Sequence, residues 1–303
     1  PQRLGWVMNN HIVRGGHLSA QPMGAFHDYV AIDPVTEKQM VVNFPVCEDN
    51  PYKIDVEKTK VLLAQYKPEF IIFGKSMVLY KEPVAEIRKF VDEQGIKTTI
   101  MYDMAHVLGL IGEDLKWGLW ETIETRTFPG SVSNHHLGTL LGQLMAAYEM
   151  NAFKDEYQKA VVENAKHFAK CLAAEGLDVA GDPAMDYTET HQVIVKVGYA
   201  HGPEVADRLE ANNIVCNYQA TPEEEGFSAS GALRMGVNEM TRFGFGKEDF
   251  AKLAHLIADC VLHHANVKEE VKKLRAEHLE MKYCFSDKDT EELLNAFASA
   301  TGI

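Results

Sequence analysis

Asp103 and His106, three residues apart in YDMAHVLGLI (residues 102–111), follow directly on the apolar run 98–101. That run reads as a buried strand, and in open α/β sheets ligands gather where strands end. A carboxylate buried at such a place needs a cationic or hydrogen-bonding partner to offset its desolvation. A protonated pyridine nitrogen would serve, because a neighbouring carboxylate raises its pKa and holds it charged. The competing reading of Asp103 is a cap on the following helix. Arg234, between Leu233 and Met235 in ALRMG, suits a carboxylate ligand, since a guanidinium forks onto it through two parallel bonds. A surface ion pair is the alternative, and the apolar flanks speak against it. Ser76 stands two residues beyond EFIIFG, again at a strand end, where an ordinary turn serine is nearly as good a reading. His17 follows two glycines, which let a backbone approach closely.

The elements that must position these residues alternate. A helix within 54–70 leads to the strand 69–74, then come a helix over 84–94 closed by Gly95 and the strand 98–103. This order is the pattern of a parallel sheet wrapped by helices. After FPGS, small and apolar residues at 137–150 predict one closely packed helix. A second is expected over 155–175, with Tyr157, Val161, Ala165, Phe168 and Leu172 on one face. Strands 191–197 and 213–218 and helices 203–211 and 247–263 make a smaller α+β unit. Charged helical sequence at 267–283 and a helix over 289–300 follow. The expected division is residues 1–152, 153–262 and 263–303.

With 303 residues, 46% of them hydrophobic, the chain can bury a sizeable core. A formal charge of -14 argues against a nucleic-acid partner, whose phosphates are met by lysine and arginine. The five scattered cysteines form no C-x-x-C pair, so they read as reduced thiols. The adjacent His135 and His136 point in different directions on any regular element, so no shared metal is expected. No apolar run suits a bilayer and no signal pattern opens the chain, so a cytoplasmic location without membrane association is expected.

Taken together, GGHLS (15–19), YDMAHVLGLI, FPGSVSNHH (128–136) and ALRMGVNEMTRFGF (232–245) resemble, in order, the motifs of serine hydroxymethyltransferases and their aldolase and transaldolase relatives. The likeness runs from about Gly15 to about Leu262. It implies a pyridoxal 5'-phosphate enzyme with an α/β, three-layer sandwich fold and a smaller C-terminal α+β domain. It implies that His17 stacks on the cofactor ring, Asp103 meets the ring nitrogen, and His106 lies by the phenolic oxygen or the aldimine. Ser76, Ser133 and Asn134 would bind the cofactor, the last two in the turn that reaches a neighbouring subunit's phosphate. Arg234 would hold the substrate carboxylate. A homodimer, an amino-acid substrate and tetrahydrofolate as an optional second cofactor belong to the same expectation.

Two departures stand beside the match. Only fourteen residues precede Gly15, and no His-Lys pair supplies the lysine that binds the cofactor covalently. Lys116, the one lysine between the second and third motifs, sits in GEDLKWG, which reads as a surface turn. Either segments of a longer polypeptide are absent from this sequence, which is the expectation since every other cofactor-facing motif is intact, or the chain is a shortened, non-catalytic paralogue. Ser133 and Asn134 replace the usual pair of glycines. With the two histidines after them, they look closer to threonine transaldolases and α-methylserine hydroxymethyltransferases, which favours a folate-independent alternative.

Overall fold

The computed structural model describes residues 3–21, 24, 27–110, 123–124, 126–132, 134, 136–226 and 229–302; Lys116, Ser133 and His135 lie outside them. Strands β1 (Val7–Asn9), β2 (Val41–Asn43), β3 (Phe70–Phe73) and β4 (Thr99–Tyr102) form a parallel sheet in the order β2-β1-β3-β4. Alternation sorts their side chains. Met8, Ile71 and Phe73 pack with Leu63 of α1 (Val56–Tyr66) and with Ile87 and Val91 of α2 (Val84–Glu93). Val7 and Ile72 face the other way, onto Ala20 and Val30. The fold is α/β, as expected. After β1 the chain leaves toward β2, whereas after β3 it leaves toward β4, so a crevice opens between their carboxyl ends.

A second, antiparallel sheet has the order β5-β6-β8-β7, from β5 (Asp178–Val179), β6 (Gln192–Lys196), β7 (Asn217–Gln219) and β8 (Ala232–Gly236). Val193, Val195 and Leu233 face a helical layer of α3 (Leu137–Ala174), α4 (Gly202–Ala211), α6 (Lys247–Leu262) and α7 (Lys268–Ala276). The short α5 (Asn238–Arg242) precedes α6, and α8 (Asp287–Thr301) ends the chain. Ile194 points to the opposite face, where it packs with Met77, Leu79 and Tyr80. The segment after β3 thereby joins the two sheets.

Several elements differ from the sequence reading. One helix of 38 residues replaces the two expected over 137–175, because no glycine or proline interrupts residues 150–155. The strand expected at 213–218 shortens to β7. Asn213 is left-handed at φ 64° and the Ile214 amide donates to the Leu209 carbonyl at 2.9 Å, closing α4 with residues that would otherwise extend. The helix expected to span 267–283 stops at Ala276, after which the Lys282 amide turns back to the Arg242 carbonyl, 2.6 Å away. Among the described residues no helix is long and apolar enough to cross a membrane.

Candidate active site

The loops after β1, β3 and β4 meet at the carboxyl edge of the parallel sheet. The Asn10 amide donates to the Gly74 carbonyl at 3.2 Å and Gln21 donates to the Asn10 carbonyl at 2.7 Å, so side chains tie the first two loops together. The Ser76 amide donates to the Gly15 carbonyl at 2.8 Å, which docks the GGH turn on the segment after β3. Gly74 has φ +119°, and a Cβ there would stand 2.5 Å from the Asp103 carbonyl oxygen. Only glycine admits both the left-handed backbone and that approach.

Asp103 leaves β4 with its amide bonded to the Phe73 carbonyl at 2.9 Å, and its carboxylate accepts the Ala105 amide at 3.1 Å. The side chain is half-buried rather than buried, because β4 is the last strand of the sheet among the described residues, with Thr99 and Met101 exposed. In place of the helix cap weighed for Asp103, the carboxylate closes a turn on Ala105 and engages one oxygen. His17 is exposed. Its Nδ1 accepts the Ser19 amide at 3.2 Å and meets the Ser19 hydroxyl at 2.6 Å, opening the turn Leu18–Ala20.

His106 is half-buried, and burial pushes its pKa below the usual histidine value. The nearby charges of Arg234 and His17 push the same way, with Asp103 opposing. Arg234 reaches across from β8, and its Nη1 donates to the Ser76 carbonyl at 2.7 Å. Gln192 donates to the same carbonyl at 3.1 Å and accepts the Val78 amide at 2.8 Å, holding the acceptor in place. Beneath this segment the buried Lys75 ammonium contacts Glu82 at 2.8 Å and donates to the Tyr52 carbonyl at 2.9 Å. His106, His191, Gln192, Asn217, Arg234 and Asn238 face a common pocket of about 410 Å³.

The structure thus gathers His17, Ser76, Asp103, His106 and Arg234, drawn from widely separated parts of the sequence. Asn134 is exposed just ahead of α3. Sequence reasoning missed His191 and Gln192. Two consecutive polar residues opening an otherwise apolar strand, HQVIVKV, were the available signal, since a buried pair there has to serve some partner. It missed the Lys75–Glu82 pair as well, because the two residues are seven apart on a loop with no periodicity to align them.

A family model described as serine hydroxymethyltransferase matches residues 112–257. The serine hydroxymethyltransferase of Archaeoglobus fulgidus is 33% identical, covering 93% of this chain and 70% of that protein. That of Korarchaeum cryptofilum is 30% identical, covering 91% and 72%. Among solved structures, the L-threonine transaldolase of Pseudomonas fluorescens, in its internal aldimine state, superposes with a TM-score of 0.79 at 25% identity. That match covers 97% of this chain and 72% of the transaldolase.

Proposed function

Because the chain belongs to the serine hydroxymethyltransferase family, we propose that it is a pyridoxal-phosphate enzyme that makes or breaks the Cα–Cβ bond of β-hydroxy-α-amino acids, serine and glycine first among them. The observation that carries this reading is the convergence of Arg234, His106 and Asp103 at the crevice where the parallel sheet switches direction. The residues present suit the cofactor: an exposed imidazole, a half-buried carboxylate with one oxygen engaged by Ala105, and a guanidinium for the substrate. Bound pyridoxal phosphate supplies an electron sink for the pair released at the α-carbon.

In this reading Asp103 holds the proton on the pyridine nitrogen, since a carboxylate there favours the charged ring. His17 lies along the ring face, and Ser76, with Ser133 and Asn134 from the FPGS turn, contributes polar contacts to the cofactor. Arg234 binds the α-carboxylate. His106, whose charged form burial and the Arg234 guanidinium disfavour, exchanges a hydrogen bond with the cofactor's phenolic oxygen. A non-catalytic role has no support among the relatives.

A second copy of the chain is part of the proposal. Leu137, Leu141, Leu144 and Tyr148 recur at intervals of four, three and four on α3 and are exposed, with Gly138 and Gly142 meeting nothing nearby. A partner subunit would bury that stripe. A folate-independent transaldolase is the second reading, favoured by the likeness to the threonine transaldolase. Serine cleavage measured with and without tetrahydrofolate, beside threonine turnover with an added aldehyde, separates the two. The expected result is cofactor-dependent aldehyde release in at least one arm. A protein that takes up the cofactor but releases aldehyde from neither amino acid would contradict both readings.

A further inference from the structure

His191 sits immediately before β6 and is 8% exposed, yet its Nδ1 is buried without a hydrogen-bond partner. The backbone holds it firmly, with the Val237 amide donating to its carbonyl at 3.2 Å. Its ring edge bearing Cδ2 lies against Gly236, where a Cβ would stand 3.4 Å away, and both residues line the pocket that holds Arg234. Burial, with His106 and Arg234 nearby, lowers its pKa to about 4, so the ring is neutral at pH 7 and carries one proton. A buried orphan N–H costs more than a buried orphan acceptor. The proton therefore belongs on Nε2, which is not among the buried unpartnered atoms, and Nδ1 keeps the lone pair.

We propose that His191 is a second substrate-binding residue, whose Nε2–H donates to the amino-acid carboxylate that Arg234 holds. This rests on the function proposed above and adds to it a neutral donor beside the cationic one. Two cations against one carboxylate would leave a surplus positive charge in a half-buried site. A neutral imidazole adds a hydrogen bond without that surplus.

The test uses the full chain loaded with pyridoxal phosphate, with uptake confirmed by the cofactor's visible absorbance and glycine binding measured by calorimetry. His191→Phe keeps the ring volume and removes the donor, so it is expected to weaken glycine binding about 10- to 100-fold while cofactor uptake is unchanged. His191→Gln, whose amide nitrogen places a donor near the Nε2 position, is expected to recover most of that loss. Glycine binding by His191→Phe within twofold of wild type would overturn the proposal. Should that variant fail to fold, ¹⁵N spectra of the wild-type imidazole decide instead: an Nε2–H tautomer whose resonance moves on adding glycine supports it, and an Nδ1–H tautomer or an unmoved resonance overturns it. Wild-type protein that binds cofactor but no glycine overturns the functional reading itself, a result separable from loss in the variant alone.

Discussion

Arg234 is the residue whose chemistry least tolerates substitution. Its guanidinium is fixed by the Ser76 carbonyl at 2.7 Å, and its fork geometry matches a carboxylate in a way an ammonium does not. Arg234→Lys, which keeps the charge and loses the fork, is expected to raise KM for the amino acid about 10- to 100-fold, read by steady-state kinetics. His191 predicts a pH effect on stability. Its folded pKa of about 4 lies below the unfolded value near 6.5, so the unfolded chain binds more protons between those limits and stability falls as pH drops through them. Urea denaturation of wild type and His191→Phe at pH 7 and pH 4 should show the wild type losing up to about 3 kcal/mol more than the variant. Equal losses would show that the imidazole is not the group responsible.

At the scale of elements, the loops at the carboxyl edge are set by a few unforgiving positions. Gly74→Ala places a methyl against the Asp103 carbonyl and forces a strained backbone, so a loss of about 1–3 kcal/mol in chemical denaturation is expected, together with weaker cofactor binding. The Lys75–Glu82 pair is almost wholly buried. Removing either partner alone is expected to cost about 3–5 kcal/mol, and Lys75→Met with Glu82→Leu much less, because only the single variants strand a buried charge. A double-mutant cycle reads the difference. The strands β3 and β4 and helices α1 and α2 were legible as apolar runs and periods bounded by Gly95 and Pro68. β1, three residues in WVMN, carried no period to see, and the continuity of α3 was hidden by a polar patch that the helix carries on its wet face. Of the site, the residues with unusual chemistry at strand ends were legible. The depth of Asp103 was not, since it depends on β4 being the last of the described strands in its sheet, and strand order is set by pairing rather than by composition.

At the scale of the molecule, the segment Ser76–Tyr80 couples the two sheets, and through Gln192 and Arg234 it ties strands β6 and β8 to the carboxyl edge of the parallel sheet. The proposed second subunit would cover the exposed stripe on α3. Leu141→Glu with Leu144→Glu is expected to convert a dimer to a monomer in sedimentation velocity, and an unchanged dimer would assign the interface elsewhere. The most direct test of the whole account is a crystal structure of the full chain loaded with pyridoxal phosphate and glycine. The account predicts the ring between His17 and Asp103 and the glycine carboxylate on Arg234; a ring bound away from the carboxyl edge of β1 and β3, or a carboxylate that does not touch Arg234, would contradict it.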